Sequence, residues 1–281
     1  MENYLQEKKI SEELSYILGY LWADSSISKK FNSVILECVK EDIDDISNLF
    51  VFFEKYKIKS RHRKNRREQS LISICIKNFT DFLKSMDYLE KSYESPDKIL
   101  NHIGVTNMNF FFRGISDGDG CFYHSKDFKI IQYVVSGSYE QNWNYMIDLC
   151  DTLGIEKFSI DKIVTKKGHK HSRFRIINND DIIKLGNFIY SGTFFGLKRK
   201  KNKFDEIKKY ILDRCEMNIV GCYDLNGELI KIFEDLKSAS DWINKKRYVG
   251  SDILDCCKGR QKTAFGYTWK RGVNVLLTPT Y

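Results

Sequence analysis

The fold is decided by two segments, Ile17-Leu18-Gly19-Tyr20-Leu21-Trp22-Ala23-Asp24-Ser25 and Phe112-Arg113-Gly114-Ile115-Ser116-Asp117-Gly118-Asp119-Gly120. Each is an apolar run with small residues four positions apart, Gly19 with Ala23 in the first and Gly114 with Gly118 in the second. Residues four apart lie on one face of a helix, and small side chains on that face let two helices approach closely. We therefore expect two helices that pack against each other along these residues.

Both segments end on an acid, Asp24 or Asp119. A carboxylate at a helix C-terminus lies at the negative end of the helix dipole, which is unfavourable, and two neighbouring carboxylates also repel each other. A divalent cation between the two acids would offset both effects. The alternative interpretation is a pair of amphipathic core helices whose acids are incidental.

The two segments resemble the paired motifs of the LAGLIDADG homing endonucleases, which cut long DNA sites. The second segment ends in Gly118-Asp119-Gly120 as the family's motif does, whereas the first has Ser25 where the family usually has Gly. The resemblance implies that Asp24 and Asp119 are catalytic and bind Mg²⁺ (or Mn²⁺). It also implies a catalytic Lys near the end of each repeat, for which Lys91 and Lys198 are the candidates.

The likeness between the two halves of the chain extends past these segments. After Asp24 the pattern predicts a strand over 33–40, a helix over about 42–55, strands over 58–63 and 70–77, and a helix over 79–86. After Asp119 it predicts strands within 122–136, a helix over 139–153, a hairpin over 158–177 that turns at Lys167-Gly168-His169, and a helix from about Asp180. We therefore expect an α+β fold with two pseudo-symmetric αββαββα repeats, residues 1–104 and 105–212, that form a DNA-binding saddle.

The strands of both halves are predicted to have a basic face, because alternate residues of a strand point to the same side of a sheet. The basic residues that would share a face are Lys57, Lys59, Arg61 and Arg63 in the first half and Arg173 and Arg175 in the second. Ile72, Ile74 and Ile76 would face the core. In the family that the segments resemble, the sheets read the major groove, so these residues and Lys77 are candidates for contacts with phosphates and base edges. The alternative is a pair of solvated faces.

The region over 219–271 has a different character. Asn226-Gly227 lies between two apolar-rich strands, which predicts a hairpin with a type I′ turn. Asp235 or Ser238 can then cap one helix, and Ser251 can open a second helix over 252–257. The region is similar to the nuclease-associated modular domains, through its Tyr-Asp-x-Asn-Gly hairpin, its helix pair and its closing Gly-Tyr-x-Trp-Lys. This resemblance implies a helix-turn-helix DNA-binding module, with Lys258, Arg260, Lys262 and Lys270 as candidate contacts, although its aromatic residues would also form a core of their own.

The bulk properties agree with a nucleic-acid partner. The chain has 281 residues, a net charge of +8 and a pI of about 8.9, and a basic balance favours an acidic partner. Neither a secretory signal nor a long apolar span is evident, and the eight cysteines lack a Cys-x-x-Cys pair. These features predict a cytoplasmic protein with reduced thiols and no membrane partner.

The resemblance to the LAGLIDADG family, taken with these observations, implies a monomeric homing endonuclease. It would make a double-strand break with short 3′ overhangs in a long, loosely palindromic DNA target by metal-dependent hydrolysis, and so promote the mobility of its own gene or intron. Two alternatives stay open at this point. One is an intron maturase-type protein that binds intron RNA, and the other is a catalytically silent DNA-binding regulator.

Overall fold

The computed structural model describes residues 10–28, 32–53, 56–61, 69–243 and 247–272. The chain divides into two compact units, residues 1–207 and 208–281. The first half of the first unit contains α1 (Glu12–Asp24), β1 (Ser25–Ser28), β2 (Ser33–Val39), α2 (Lys40–Ile46), β3 (Tyr56–Arg61), β4 (Gln69–Ile74), α3 (Lys77–Ser85) and α4 (Asp97–Ile103). A 3₁₀-helix, Ser47–Phe52, follows α2 directly.

The second half repeats this order of elements. It contains α5 (Met108–Gly118), β5 (Gly120–His124), β6 (Ile131–Gly137), α6 (Asn144–Leu153), β7 (Phe158–Val164), β8 (Lys170–Ile176) and α7 (Asn179–Ile189). A long helix, α8 (Lys198–Asn218), then leads into the residues of the second unit.

Each half builds one antiparallel sheet of the same topology. The strand orders are β1-β2-β4-β3 and β5-β6-β8-β7, so the predicted α+β fold with two αββαββα repeats is confirmed. The inner face of the first sheet buries Val34, Leu36, Ile72 and Ile74, and that of the second buries Tyr133, Val135, Phe174 and Ile176.

Three of the predicted boundaries were wrong. The helix predicted over 42–55 is the short helix α2 followed by the 3₁₀-helix, and α6 begins at Asn144 instead of 139. The strand predicted over 70–77 ends at Ile74, so Ile76 lies beyond the strand and Lys77 is the first residue of α3. Lys77 therefore does not lie on the sheet.

Helices α1 and α5 pack backbone to backbone, as the small residues predict. A Cβ atom on Gly19 would lie 1.9 Å from the carbonyl oxygen of Phe111, and one on Gly114 would lie 2.2 Å from that of Tyr16. Further along, a Cβ atom on Gly118 would lie 2.4 Å from the Cβ atom of Ala23. No larger side chain fits at these positions without separating the helices.

The second unit contains β9 (Val220–Tyr223), β10 (Leu229–Phe233), α9 (Leu236–Ile243), α10 (Gly250–Cys257) and β11 (Thr268–Arg271). Its sheet has the order β10-β9-β11. The core includes Val220, Phe233, Ile253 and Trp269, with Tyr267 packed against it. The prediction that the aromatic residues form this core is confirmed for Trp269 and Tyr267 and was wrong for Trp242 and Phe265, which are exposed. The oxygen Oδ1 of Asp235 accepts a hydrogen bond from Ser238 N at 2.7 Å and caps α9, whereas α10 begins at Gly250, ahead of Ser251.

The hairpin between β9 and β10 turns as predicted at Gly227, which has a φ of 90°. The type I′ prediction was wrong, because that turn needs positive φ at both central residues and Asn226 does not have it. The reason is local. Asp224 Oδ1 accepts hydrogen bonds from the backbone N–H groups of Asn226 and Glu228, at 2.9 and 2.8 Å, and this side chain organises the turn instead.

All eight cysteines are free thiols, which agrees with their scattered placement. No helix within the described ranges is long and apolar enough to cross a membrane.

Candidate active site

The two acids come together because α1 and α5 end side by side. Asp24 is the last residue of α1, and Asp119 follows Gly118, the last residue of α5. Ser25 caps α1 by donating its hydroxyl to the Leu21 carbonyl at 2.5 Å, so the serine at this position still ends the helix. A Cβ atom on Gly118 would lie 3.4 Å from Asp24 Oδ2, which places the Asp24 carboxylate against the end of α5.

The environment raises the pKa of both acids. The pKa of Asp24 is raised to about 7, first because surrounding protein atoms displace water from its carboxylate and then because Asp119 adds a negative charge. Asp24 as a whole residue is nonetheless exposed to solvent. The pKa of Asp119 is raised by desolvation as well, and Lys91 and Lys200 oppose that rise. The surroundings of the two acids therefore oppose their ionisation.

Lys91 lies at the end of α1. Its Nζ atom donates hydrogen bonds to the carbonyl oxygens of Leu21, Trp22 and Ala23, at 3.2, 2.6 and 2.9 Å. A cation on the last carbonyls of a helix offsets the dipole. Burial lowers the pKa of Lys91 to about 8, while the charges of Asp119 and Asp24 act in the opposite direction. The predicted candidate Lys91 is therefore brought to both acids.

Lys200 has the same place in the second half. Its Nζ atom donates to the carbonyl oxygens of Ser116, at 3.3 Å, and of Gly120, both at the end of α5. Its pKa is lowered by burial, and Asp117 opposes the shift.

Lys198, the predicted candidate, lies elsewhere. Its Nζ atom pairs with Asp45 Oδ1 at 2.9 Å, and the neighbouring Arg199 forms a bidentate pair with Asp42 at 2.6 and 2.7 Å. The structure thus puts Lys200, two residues further along, in the place that the sequence predicts for Lys198. The sequence does distinguish Lys200, because the helical spacing places it on the same face of α8 as four apolar residues. These residues, which are all buried, are Leu197, Phe204, Ile207 and Ile211.

A polar cavity of about 240 Å³ opens beside Asp119. Its lining includes Asp119, Lys91, Ser136, Ser138, Gln141 and Tyr145. The negative carboxylate and the positive ammonium face the same space. The cavity therefore has groups of both charge signs in its lining.

The donor set fits a magnesium ion better than a metal that is held by protein alone. Within the residues that the structure describes, no group of three or more His, Cys, Asp and Glu could hold a metal. Mg²⁺ commonly binds through one or two carboxylates and completes its shell with water and substrate phosphate oxygens. Asp24 and Asp119 supply such a pair of carboxylates, and desolvation raises the pKa of both.

Two of the predicted DNA contacts of the first half, Lys57 and Lys59, lie on one face of its sheet. Lys57 and Lys59 pair with Ser73 and Leu71 of β4, on the side away from the buried Ile72 and Ile74, and both lysines are exposed. Arg61 is the last residue of β3, and Arg63 lies outside the described residues. Lys77 is exposed on α3.

On the corresponding face of the second sheet, the predicted basic residues are paired with an acid. Arg173 and Arg175 lie on the side away from the buried Phe174 and Ile176, as predicted. Both contact Asp161 Oδ2, at 3.1 Å from Arg173 Nε and 3.3 Å from Arg175 Nη2. This carboxylate partly neutralises the face and orients both guanidinium groups.

The second unit presents its predicted contacts around a loop and a strand. Lys258, Arg260 and Lys262 are exposed after α10, and Lys270 is exposed on β11. Arg260 pairs with Asp255 at 2.9 Å, and the Lys270 ammonium lies 4.7 Å from the centre of the Tyr223 ring. Helix α10 itself has Asp252 and Asp255 but no basic residue, which is unfavourable for insertion beside phosphates.

No family model matches the chain, and no curated protein matches it. Solved structures do. I-WcaI, a homing endonuclease bound to its DNA recognition sequence, is 18% identical with a TM-score of 0.49, over 72% of this chain and 91% of that chain. The meganuclease I-SmaMI, bound to uncleavable DNA, is 16% identical with a TM-score of 0.48, over 71% and 90%. The LAGLIDADG homing endonuclease I-GzeII, in complex with a DNA target, is 15% identical with a TM-score of 0.45, over 78% and 94%. These likenesses are distant.

Proposed function

We propose that this chain is a site-specific DNA endonuclease that hydrolyses one phosphodiester bond in each strand at Asp24 and Asp119. One observation carries the proposal. Two helices that touch through their backbones end on two acids whose pKa values are raised, and each helix end holds a lysine on its last carbonyls. A purely structural helix pair has no use for desolvated charges of both signs at one point.

The residues of the site have complementary tasks in this reaction. Asp24 and Asp119 would hold Mg²⁺ (or Mn²⁺), and such an ion, when bound, activates water and offsets charge on the leaving oxygen. Lys91 and Lys200 present their ammonium groups beside the acids, where they would stabilise the added negative charge of the phosphate in the transition state. The cavity with Asp119 and Lys91 gives one phosphate group room to approach, and we assign one half of the pair to each strand.

Contacts with DNA would come from the outer faces of the two sheets. Lys57 and Lys59 are exposed and would meet phosphates, whereas Arg173 and Arg175 are oriented by Asp161 and suit contacts that need fixed geometry, such as base edges. We propose that the second unit adds contacts through the loop with Lys258 and Lys262 rather than through α10. We further propose that the enzyme is a monomer, that its DNA target is long and loosely palindromic, and that cleavage leaves short 3′ overhangs. The enzyme would promote the mobility of its own gene.

Sequencing of new DNA ends tests this function directly. The purified chain is incubated with a large genomic or phage DNA pool and Mg²⁺, and the new ends are mapped. The control is the Asp24→Asn/Asp119→Asn double variant, which keeps the size of both side chains. We expect discrete ends with 3′ overhangs that the control does not produce. No ends above the control, from a protein that still binds nucleic acid, would overturn the proposal in favour of RNA binding or regulation.

A further inference from the structure

The two lysines of the active site are held in place by different residues, although the halves of the chain repeat each other. Counted from Gly19 and Gly114, the two segments have Trp22 and Asp117 at the same position. Trp22 packs edge-on against Tyr88, with ring centres 4.9 Å apart. Asp117 is buried. A buried carboxyl group costs free energy unless it is hydrogen-bonded, so its hydrogen-bond partners indicate its role.

Asp117 fixes the start of the helix that has Lys200. Its Oδ2 atom accepts hydrogen bonds from the backbone N–H of Leu197, at 2.8 Å, and from the Tyr16 hydroxyl, at 2.9 Å. The Leu197 carbonyl in turn accepts from the backbone N–H of Lys200 at 3.0 Å. One hydrogen bond at Leu197 therefore sets the position of the first turn of α8, from which Lys200 reaches the end of α5.

The backbone just before Leu197 also passes close to the Asp117 carboxylate. Gly196 has a φ of 118°, and a Cβ atom there would lie 2.5 Å from Asp117 Oδ2. Arg113, one turn earlier on α5, is fully buried and donates to the carbonyls of Ile189, Ser191 and Thr193, at 2.9, 2.7 and 2.8 Å. The segment that leads into α8 is thus held by α5 at both of its ends.

Gln141 has the matching task for Lys91. Its Nε2 atom donates to the carbonyl oxygens of Lys91 and Glu94, at 3.1 and 3.3 Å. Gln141 belongs to the second half and packs over Gly137, whose absent Cβ atom would lie 3.0 Å from Gln141 Cγ. The hydroxyl of Ser138 also donates to the carbonyl of Ser92. The segment with Lys91, at the end of the first half, is therefore held from the second half.

We infer that Asp117 is the positioning residue for Lys200 and Gln141 the positioning residue for Lys91, and that each controls the cleavage of a different DNA strand. The inference rests on the proposed endonuclease function and goes further, since it assigns two residues outside the paired acids. Asp117 is buried, whereas Gln141 lines the cavity that we propose for the phosphate. Each acts through the backbone that presents a lysine, and a displacement of about 1 Å can slow a reaction on the order of a hundredfold.

The test measures each strand separately. A duplex with the mapped target is labelled on one strand or the other, and single-turnover cleavage is followed for each label. Asp117→Leu should slow one strand by roughly ten- to a hundredfold, and Lys200→Met should slow that same strand. Gln141→Ala and Lys91→Met should both slow the other strand. Asp117→Asn keeps an oxygen acceptor for Leu197 and should retain most of the rate.

Equal slowing of both strands by Asp117→Leu, or no slowing by either variant, would overturn the inference. If Asp117→Leu does not fold, Gly196→Ala decides, because it leaves Asp117 in place and presses a methyl group into the Leu197 contact. Binding to the labelled duplex is measured for each variant, and an unchanged affinity is expected for Asp117→Leu and Asp117→Asn, because Asp117 is buried. A wild-type chain that cuts nothing would refute the endonuclease function instead, so the two failures are distinguishable.

Discussion

Burial in the folded protein makes the ionised forms of Asp24 and Asp119 unfavourable. The folded protein raises the pKa of Asp24 from 3.8 to about 7. The folded state then binds a proton more tightly than the unfolded chain, so this residue contributes stability below about pH 4 that is lost as the pH rises through about 7. A cation that binds the ionised pair would restore the loss.

This linkage predicts a pH-dependent stabilisation by Mg²⁺. In thermal melts, millimolar Mg²⁺ should raise the melting temperature more at about pH 8 than at about pH 5, because protons compete with the metal for the carboxylates. The Asp24→Asn variant is the control, since it removes the titrating group. Burial also raises the pKa of Asp117 to about 7. Asp117 is present in both proteins, so the difference in their stabilisation by Mg²⁺ reports on Asp24 alone. Equal stabilisation of both proteins would contradict a metal site at Asp24.

The three candidate lysines allow a second prediction at this scale. Lys91→Met and Lys200→Met should each reduce cleavage by a factor on the order of a hundred or more, as the loss of one charged stabiliser does at other sites. Lys198→Met should leave the rate near that of the wild type, because the Lys198 ammonium is paired with Asp45 and largely exposed. Single-turnover rates at saturating enzyme give the comparison. A Lys198→Met variant as slow as Lys200→Met would restore Lys198 as the catalytic lysine.

At the scale of elements, the contact between α1 and α5 sets the position of everything else in the site. Gly19→Ala would place a methyl carbon 1.9 Å from the Phe111 carbonyl oxygen. Backbone atoms of two helices cannot move aside as a flexible side chain can, so we expect a loss of about 1–3 kcal/mol in the free energy of unfolding, as for other overpacked cores. Denaturant unfolding measures it, and Glu13→Ala, at an exposed position of the same helix, should change little. A Gly19→Ala variant as stable as Glu13→Ala would contradict the packing.

The elements also show which features the sequence could predict. The two helices, the two sheets and the Asp pair follow from short-range patterns, because spacing along one helix or strand determines which residues share a face. Lys200 was missed because Lys198, Arg199, Lys200 and Lys201 are equally basic, and the prediction did not use the apolar stripe of α8 that separates Lys200 from the others. The hairpin at Asn226 was misjudged because the Asp224 side chain competes for the turn's N–H groups. Gln141 could not be predicted, since its partners are carbonyls about fifty residues away in the chain.

At the scale of the whole molecule, the net charge of +8 is distributed unevenly over the surfaces that would meet DNA. The outer face of the first sheet has unpaired exposed lysines at Lys57 and Lys59 among its described side chains, whereas Asp161 balances part of the second. The first sheet should therefore contribute more of the salt-dependent affinity. The second should contribute more of the discrimination between bases.

A salt titration tests this division. For the Lys57→Ala/Lys59→Ala variant, the slope of log affinity against log salt should become shallower by about 2, close to 0.9 for each lost phosphate contact. Lys98→Ala/Lys184→Ala removes the same charge from helices, where these lysines pair with Asp87 and Asp181, and should leave the slope nearly unchanged. Equal changes in the two variants would mean that only the total charge matters.

The contact between Gly19 and Phe111 has a consequence for how such a protein could change its target. The spacing of the two acids is fixed by peptide groups, which have no rotamers and tolerate no substitution, whereas the residues on the outer faces of the sheets can be exchanged freely. Under the proposed function, the helix contact would fix the distance between the two cuts, whereas the side chains on the sheets would determine which sequence is recognised. Redesign of the sheets should then move the site of cleavage without altering the length of the overhang.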